Sequence, residues 1–181
     1  MQGRDIANVG QCGGIKLNNF HIDLEYSMEL RDDERLDDFY KAAFPMLERI
    51  EFCSEISMQQ KGIDKIIHFS NGNTISIDEK KRRKYYGDIL LEIWKNKEQK
   101  KPGWLFYSQC DYIVYAILGA NKIYLLPVLL LQMAWKNNGK EWLREYDLKI
   151  AHNGSYDTVN IVIPTDVLLN AISNEMKKQT A

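Results

Sequence analysis

The pair Asn71-Gly72 constrains this chain more than any other feature. Asn and Gly tolerate the positive φ that tight hairpin turns require, so the pair marks a chain reversal. Runs rich in β-branched residues stand on either side, Ile63 to Phe69 and Thr74 to Ile77, and alternate as paired strands do. Folding back at this point brings the distant ends of the two runs together. Asp64 stands at one end, and Asp78, Glu79, Lys80 and Lys81 stand at the other. A two-residue turn sets Asp64 opposite Glu79, while a loop one residue longer, or a bulge, sets it beside Asp78. Either register brings two carboxylates within about 5 Å of each other.

Carboxylates that close repel, and a divalent cation relieves the repulsion by taking oxygen from both. Side chains alternate along a strand, so Asp78 and Lys80 share one face, and Glu79 and Lys81 the other. A carboxylate-held cation acidifies bound water and stabilises charge on a phosphoryl oxygen. A neighbouring ammonium can orient that water or neutralise the transition state. The expected catalytic set is therefore Asp64, Asp78, Glu79 and Lys80, with Mg²⁺ or Mn²⁺ as cofactor. Asp64, Asp78 and Glu79 are the first candidates to hold the metal.

Around the hairpin, Leu36, Phe39, Tyr40, Ala43, Phe44, Leu47 and Ile50 recur at helical spacing, with Pro45 expected to kink or divide the helix. Asp88 to Trp94 reads as a third strand whose expected partner is Tyr112 to Ile117, and Lys122 to Leu126 is a further strand. Glu92 alternates in phase with Asp88 and Leu90, which makes it a further metal candidate. Helical periodicity then runs from Val128 to Tyr146, interrupted at Asn138-Gly139. Val159 to Ile163 reads as a strand ended by Pro164, and Thr165 can cap a short last helix. The order predicts one α/β (α+β) domain over residues 1–181, a mixed central sheet flanked by helices, with residues 1–25 an irregular extension.

The wider pattern resembles the PD-(D/E)XK nuclease superfamily: an acid, a hairpin, then Asp-x-Lys on the second strand. The matching residues are Asp64, Asp78 and Lys80. Gln59 through Asp64, Ile77 through Lys80, Asp88 through Glu92, and Gly103-Trp104-Leu105 look like segments of its small phage and bacterial members. The resemblance implies a restriction-endonuclease-like fold and metal-dependent cleavage of DNA or RNA, with Lys80 positioning the attacking water. It also makes Glu48, on the expected first helix, a candidate metal ligand. No proline precedes Asp64, and the residue between Asp78 and Lys80 is charged, so Asp78 and Glu79 stand as alternatives for facing the metal.

Net charge is −1, so attraction to phosphate must be local. It is concentrated in Lys81, Arg82, Arg83, Lys84, Lys95, Lys97, Lys100 and Lys101, the expected nucleic-acid-binding residues. The alternative is a non-catalytic module gripping nucleic acid or a protein partner, with phage–host conflict as one setting, and a homodimer is a further expectation for an enzyme cutting both strands. No P-loop and no metal-spaced histidines occur. No apolar run reaches the roughly 18 residues of a membrane span, the first residues lack the apolar centre of a secretory signal, and three scattered cysteines suit a reducing compartment. The cytoplasm is the expected location.

Overall fold

The computed structural model describes residues 34–180, so the expected extension over residues 1–25 lies outside them. Helix α1 (Glu34–Ala43) buries Leu36 and Tyr40 and goes no further. Pro45 cannot donate a helical N–H and disfavours a helical Phe44, so the chain turns. Leu47–Phe52 is strand β1, not the second half of a helix. The helix-like spacing across Leu47 and Ile50 has a local cause. A register irregularity between Leu47 and Arg49 sets the two inward residues, Leu47 and Ile50, three apart instead of two. Glu48, at that irregularity, is an exposed strand residue beside the hairpin turn.

A short helix α2 (Ile56–Gln60) leads into the hairpin of β2 (Lys65–Phe69) and β3 (Thr74–Lys81). Its register pairs Lys65 with Ile77 and His68 with Thr74, which leaves the three-residue loop Ser70 to Gly72. Gly72 takes φ +84°, and Asn71 Oδ1 accepts the Asn73 N–H at 3.0 Å. The longer of the two anticipated loops is thus the one that forms.

The remaining elements are β4 (Asp88–Asn96), β5 (Lys101–Pro102), α3 (Trp104–Tyr107), β6 (Tyr112–Ile117), β7 (Lys122–Pro127), α4 (Val128–Glu145), β8 (Leu148–His152), β9 (Asp157–Pro164) and α5 (Thr165–Gln179). Among the described residues the strands form two sheets, not a single central one. The first is mixed, in the order β1-β2-β3-β6-β7, with β3 and β6 parallel and the other neighbours antiparallel. The second is antiparallel, in the order β5-β4-β9-β8. Strand β4 therefore pairs with β9, and β6 takes its place beside the hairpin.

Alternation along β3 and β6 separates two cores. Ile67, Ile77, Val114 and Ala116 face Leu36 and Tyr40 of α1. Ile113, Tyr115 and Ile117 turn the other way, into a larger core with Leu91 and Ile161 of the second sheet, Leu131 of α4 and Leu168 of α5. Helix α4 runs unbroken through Asn138-Gly139. A Cβ on Gly139 would stand 2.8 Å from the Trp135 ring, so here glycine makes room for an indole and does not end a helix.

Candidate active site

Strand β3 presents its charges to two different environments. Asp78 and Lys80 lie on the face of the larger core, and Glu79 and Lys81 on the face covered by α1. On the α1 side, Glu79 is a buried structural acid. It accepts a hydrogen bond from the Tyr40 hydroxyl at 2.6 Å, and its oxygens lie 2.6 Å from Lys65 Nζ and 3.0 Å from Lys81 Nζ. Burial alone would raise its pKa, but the Lys65 and Lys81 charges and the Tyr40 bond outweigh burial and hold it below the usual carboxylate range. Expected as a catalytic and metal residue, Glu79 is instead on the wrong face and fully engaged. Asp78 is the one that faces the site.

Asp64 reaches the site from the other strand of the hairpin. The chain leaves the ladder just before Lys65, where the Asp64 N–H donates to the Ile77 carbonyl at 2.8 Å. The Asp64 carboxylate accepts the Glu79 N–H at 2.9 Å, which fixes it against β3 and near enough to Asp78 for its charge to act there. Lys80 Nζ lies 2.7 Å from Asp78 Oδ1. Oδ2 of Asp78 is buried and has no hydrogen-bond partner. Burial, with Asp64 nearby, pushes the Asp78 carboxyl up to about 7 despite the opposing pull of Lys80. For Lys80, burial acts downward, and the charge and hydrogen bond of Asp78 overcome it and raise the pKa.

Glu92, on β4, lies near enough to Lys80 to feel its charge. Its Oε1 accepts the Trp104 N–H at 3.1 Å, and its pKa is raised by burial against the lowering effects of that bond, Lys80 and Lys95. Gly103 permits this contact, because a Cβ there would stand 2.2 Å from the Glu92 carbonyl oxygen and 2.8 Å from its Cγ. The segments Asp88 to Glu92 and Gly103-Trp104-Leu105, far apart in the chain, thus meet.

Two neighbours, Tyr107 and Ser108, lie outside the expected catalytic and metal residues. The Tyr107 hydroxyl is raised by burial and feels Lys80, Glu92, Asp78 and Asp64 together. Ser108 follows it, buried, with Oγ unpartnered. Both come shortly after the Gly-Trp-Leu string, with Phe106 between, and that string was the available signal. Cys110 is also close, but burial and the Asp78 charge push its thiol up to about 12, so it is a poor nucleophile.

The other expected residues divide. Glu48 lies at the turn end of the hairpin, away from the acids, and has no part in the site. Lys81 is buried against Glu79. Arg82 pairs with the Asp88 carboxylate, donates to the Asp88 carbonyl at 3.1 Å and stacks its guanidinium 5.1 Å from the Tyr86 ring centroid. These two cations serve the fold. Arg83 is half-buried and Lys84 exposed. Lys95, Lys97, Lys100 and Lys101 are exposed along the β4–β5 hairpin. Lys95 Nζ lies 5.8 Å from the Tyr107 ring centroid, which connects this cationic edge to the acids.

The donor set fits a hard divalent cation: two adjoining carboxylates, one with an oxygen left unpaired in the interior. Among the described residues no group of three or more His, Cys, Asp or Glu side chains is placed to hold a metal ion, so other oxygens would complete the shell. A groove of about 730 Å³ lined by Phe44, Met46, Phe69 and Ile75 lies at the turn end of the hairpin, away from this chemistry. No helix among the described residues is long and apolar enough to cross a membrane. No family profile matches the chain, and comparison with curated proteins and with solved structures finds no similar one.

Proposed function

We propose that the chain is a metal-dependent nuclease that hydrolyses phosphodiester bonds in DNA or RNA, built on a restriction-endonuclease-like sheet. The observation that carries this reading is the convergence of Asp64, Asp78 and Lys80 at one end of the β2–β3 hairpin, with Asp78 Oδ2 buried and unpaired. Two carboxyls and an ammonium meet here while one buried Asp78 oxygen has no partner, and a cation would supply one.

Asp64 and Asp78 would hold Mg²⁺ or Mn²⁺, which when bound supplies an acidified water and charge neutralisation at the phosphoryl group. Asp64 is oriented by the Glu79 N–H, so its other oxygen is presented in a fixed direction. Lys80, paired with Asp78 Oδ1, is positioned to orient the attacking water and offset charge on the phosphate. Glu92 adds a raised, neighbouring carboxyl able to carry a proton. The exposed lysines of the β4–β5 hairpin supply the salt-sensitive grip on the strand.

The test is cleavage of DNA and RNA substrates in Mn²⁺ by the parent and by Lys80→Ala. Loss of cleavage with fold and nucleic-acid binding retained supports the assignment, and full activity in the variant defeats it. The shortage of a third acid favours one second reading, a non-catalytic nucleic-acid or protein binder on the same scaffold. That reading expects binding without metal-dependent turnover by the parent.

A further inference from the structure

Two buried polar oxygens near the acids lack a hydrogen-bond partner, Asp78 Oδ2 and Ser108 Oγ. Both pack against the Gly62 backbone. A Cβ placed on Gly62 would stand 2.9 Å from Ser108 Oγ and 3.4 Å from Asp78 Oδ2. Gly62 takes φ +69°, which L side chains rarely adopt, so glycine lets the chain pack this closely on both oxygens. Leaving a carboxylate oxygen and a hydroxyl both unpaired in the interior is costly, and two such groups packed against one residue point to a shared partner.

The backbone around Ser108 is held from three directions. Its N–H donates to the Trp104 carbonyl at 3.1 Å, and its carbonyl accepts from Gln132 Nε2 at 3.3 Å. The next residue, Gln109, donates its N–H to the Lys61 carbonyl at 2.8 Å. These bonds tie the serine to α4 on one side and to the residue preceding Gly62 on the other.

We infer that Ser108 Oγ is a third, neutral oxygen of the cation site formed by Asp64 and Asp78. The inference rests on reading those two acids as cation ligands. Two carboxylates already balance a divalent charge, and a hydroxyl adds a ligand without adding a further anion beside them. Glu92 is less free to fill that place, because its Oε1 is engaged by the Trp104 N–H. Gly62 then has a role in the site, since a side chain there would collide with Ser108 Oγ and displace it from Asp78.

The experiment is Mn²⁺ calorimetry and thermal unfolding in chelator on the parent, Asp78→Asn, Ser108→Ala and Ser108→Cys. Ser108→Ala should be at least as stable as the parent without metal, since it removes an unpaired buried hydroxyl, yet bind Mn²⁺ about tenfold more weakly. Ser108→Cys should shift preference from Mn²⁺ towards the thiophilic Cd²⁺, which a structural role would not produce. If the parent and Ser108→Ala bind Mn²⁺ equally while Asp78→Asn binds none, Ser108 is not a ligand and the two acids keep their assignment. If Ser108→Ala is destabilised in chelator and Ser108→Cys shows no Cd²⁺ preference, the hydroxyl is structural and the inference fails. If the parent takes up no Mn²⁺, the underlying reading of the acids fails with it.

Discussion

Gly103 and Glu92 are in backbone contact: a Cβ on Gly103 would stand 2.2 Å from the Glu92 carbonyl oxygen. Strand β4 and helix α3 approach this closely because residue 103 has no side chain, and the approach lets Glu92 Oε1 accept the Trp104 N–H. Gly103→Ala must therefore push the two elements apart. The expected loss is about 1–3 kcal/mol by urea unfolding, with a weakened Glu92–Trp104 bond as the structural correlate.

Asp78 and Glu79 should respond oppositely to neutralisation. Glu79→Gln leaves the buried Lys65 and Lys81 ammonium groups short of counter-charge, and removing one partner of a buried pair costs about 3–5 kcal/mol. The pH dependence has a definite sign. The Glu79 carboxyl is held below its unfolded value, so its stabilisation is present above the unfolded pKa and disappears as pH falls through the folded one. Below that range, parent and Glu79→Gln should converge in thermal stability.

Asp78 has the reverse sign. Its carboxyl is raised from 3.8 to about 7, so in the metal-free protein its ionisation opposes folding progressively between those values. In chelator, Asp78→Asn should match the parent near pH 4 and exceed it by pH 7–8, by an amount on the order of 3–4 kcal/mol. Thermal unfolding across that pH range checks this, and a parent that stays level with the variant would contradict it.

Gly139→Ala sets two effects against each other. Replacing a helical glycine favours the helix by about 1 kcal/mol. The added methyl would stand 2.8 Å from the Trp135 ring, which itself packs edge-on against Trp142 at 6.2 Å. Overpacking of this kind costs about 1–3 kcal/mol, so the net result is a loss of stability, accompanied by a changed tryptophan fluorescence.

Removing Lys97, Lys100 and Lys101 together should weaken nucleic-acid binding across sequences and flatten its salt dependence by about one counterion per lysine. Lys81→Ala should instead lower stability, because that cation is buried against Glu79. Binding titrations at several salt concentrations separate the exposed lysines from the internal one.

Much of this could be read from local pattern. The Asn71-Gly72 reversal, the acids and lysine at the hairpin ends, and strands β6, β7 and β9 depend on alternation and turn chemistry, which act over a few residues. The end of helix α1 was harder, since the irregularity in β1 mimics helical spacing between Leu47 and Ile50. Strand β8 was not anticipated, because its residues are mostly exposed and pair along only one edge.

What the amino-acid order determined by itself was the set of charges brought together by one turn. Whether Asp78 or Glu79 faces the site depended on a loop one residue longer and on which face of β3 helix α1 covers. The convergence of Glu92, Tyr107 and Ser108 was likewise decided by packing between a second sheet and the first, across contacts distant in sequence. A strand pattern records that its side chains alternate. It does not record which strand pairs with it or what covers each face, because those depend on long-range burial available only once the chain has closed.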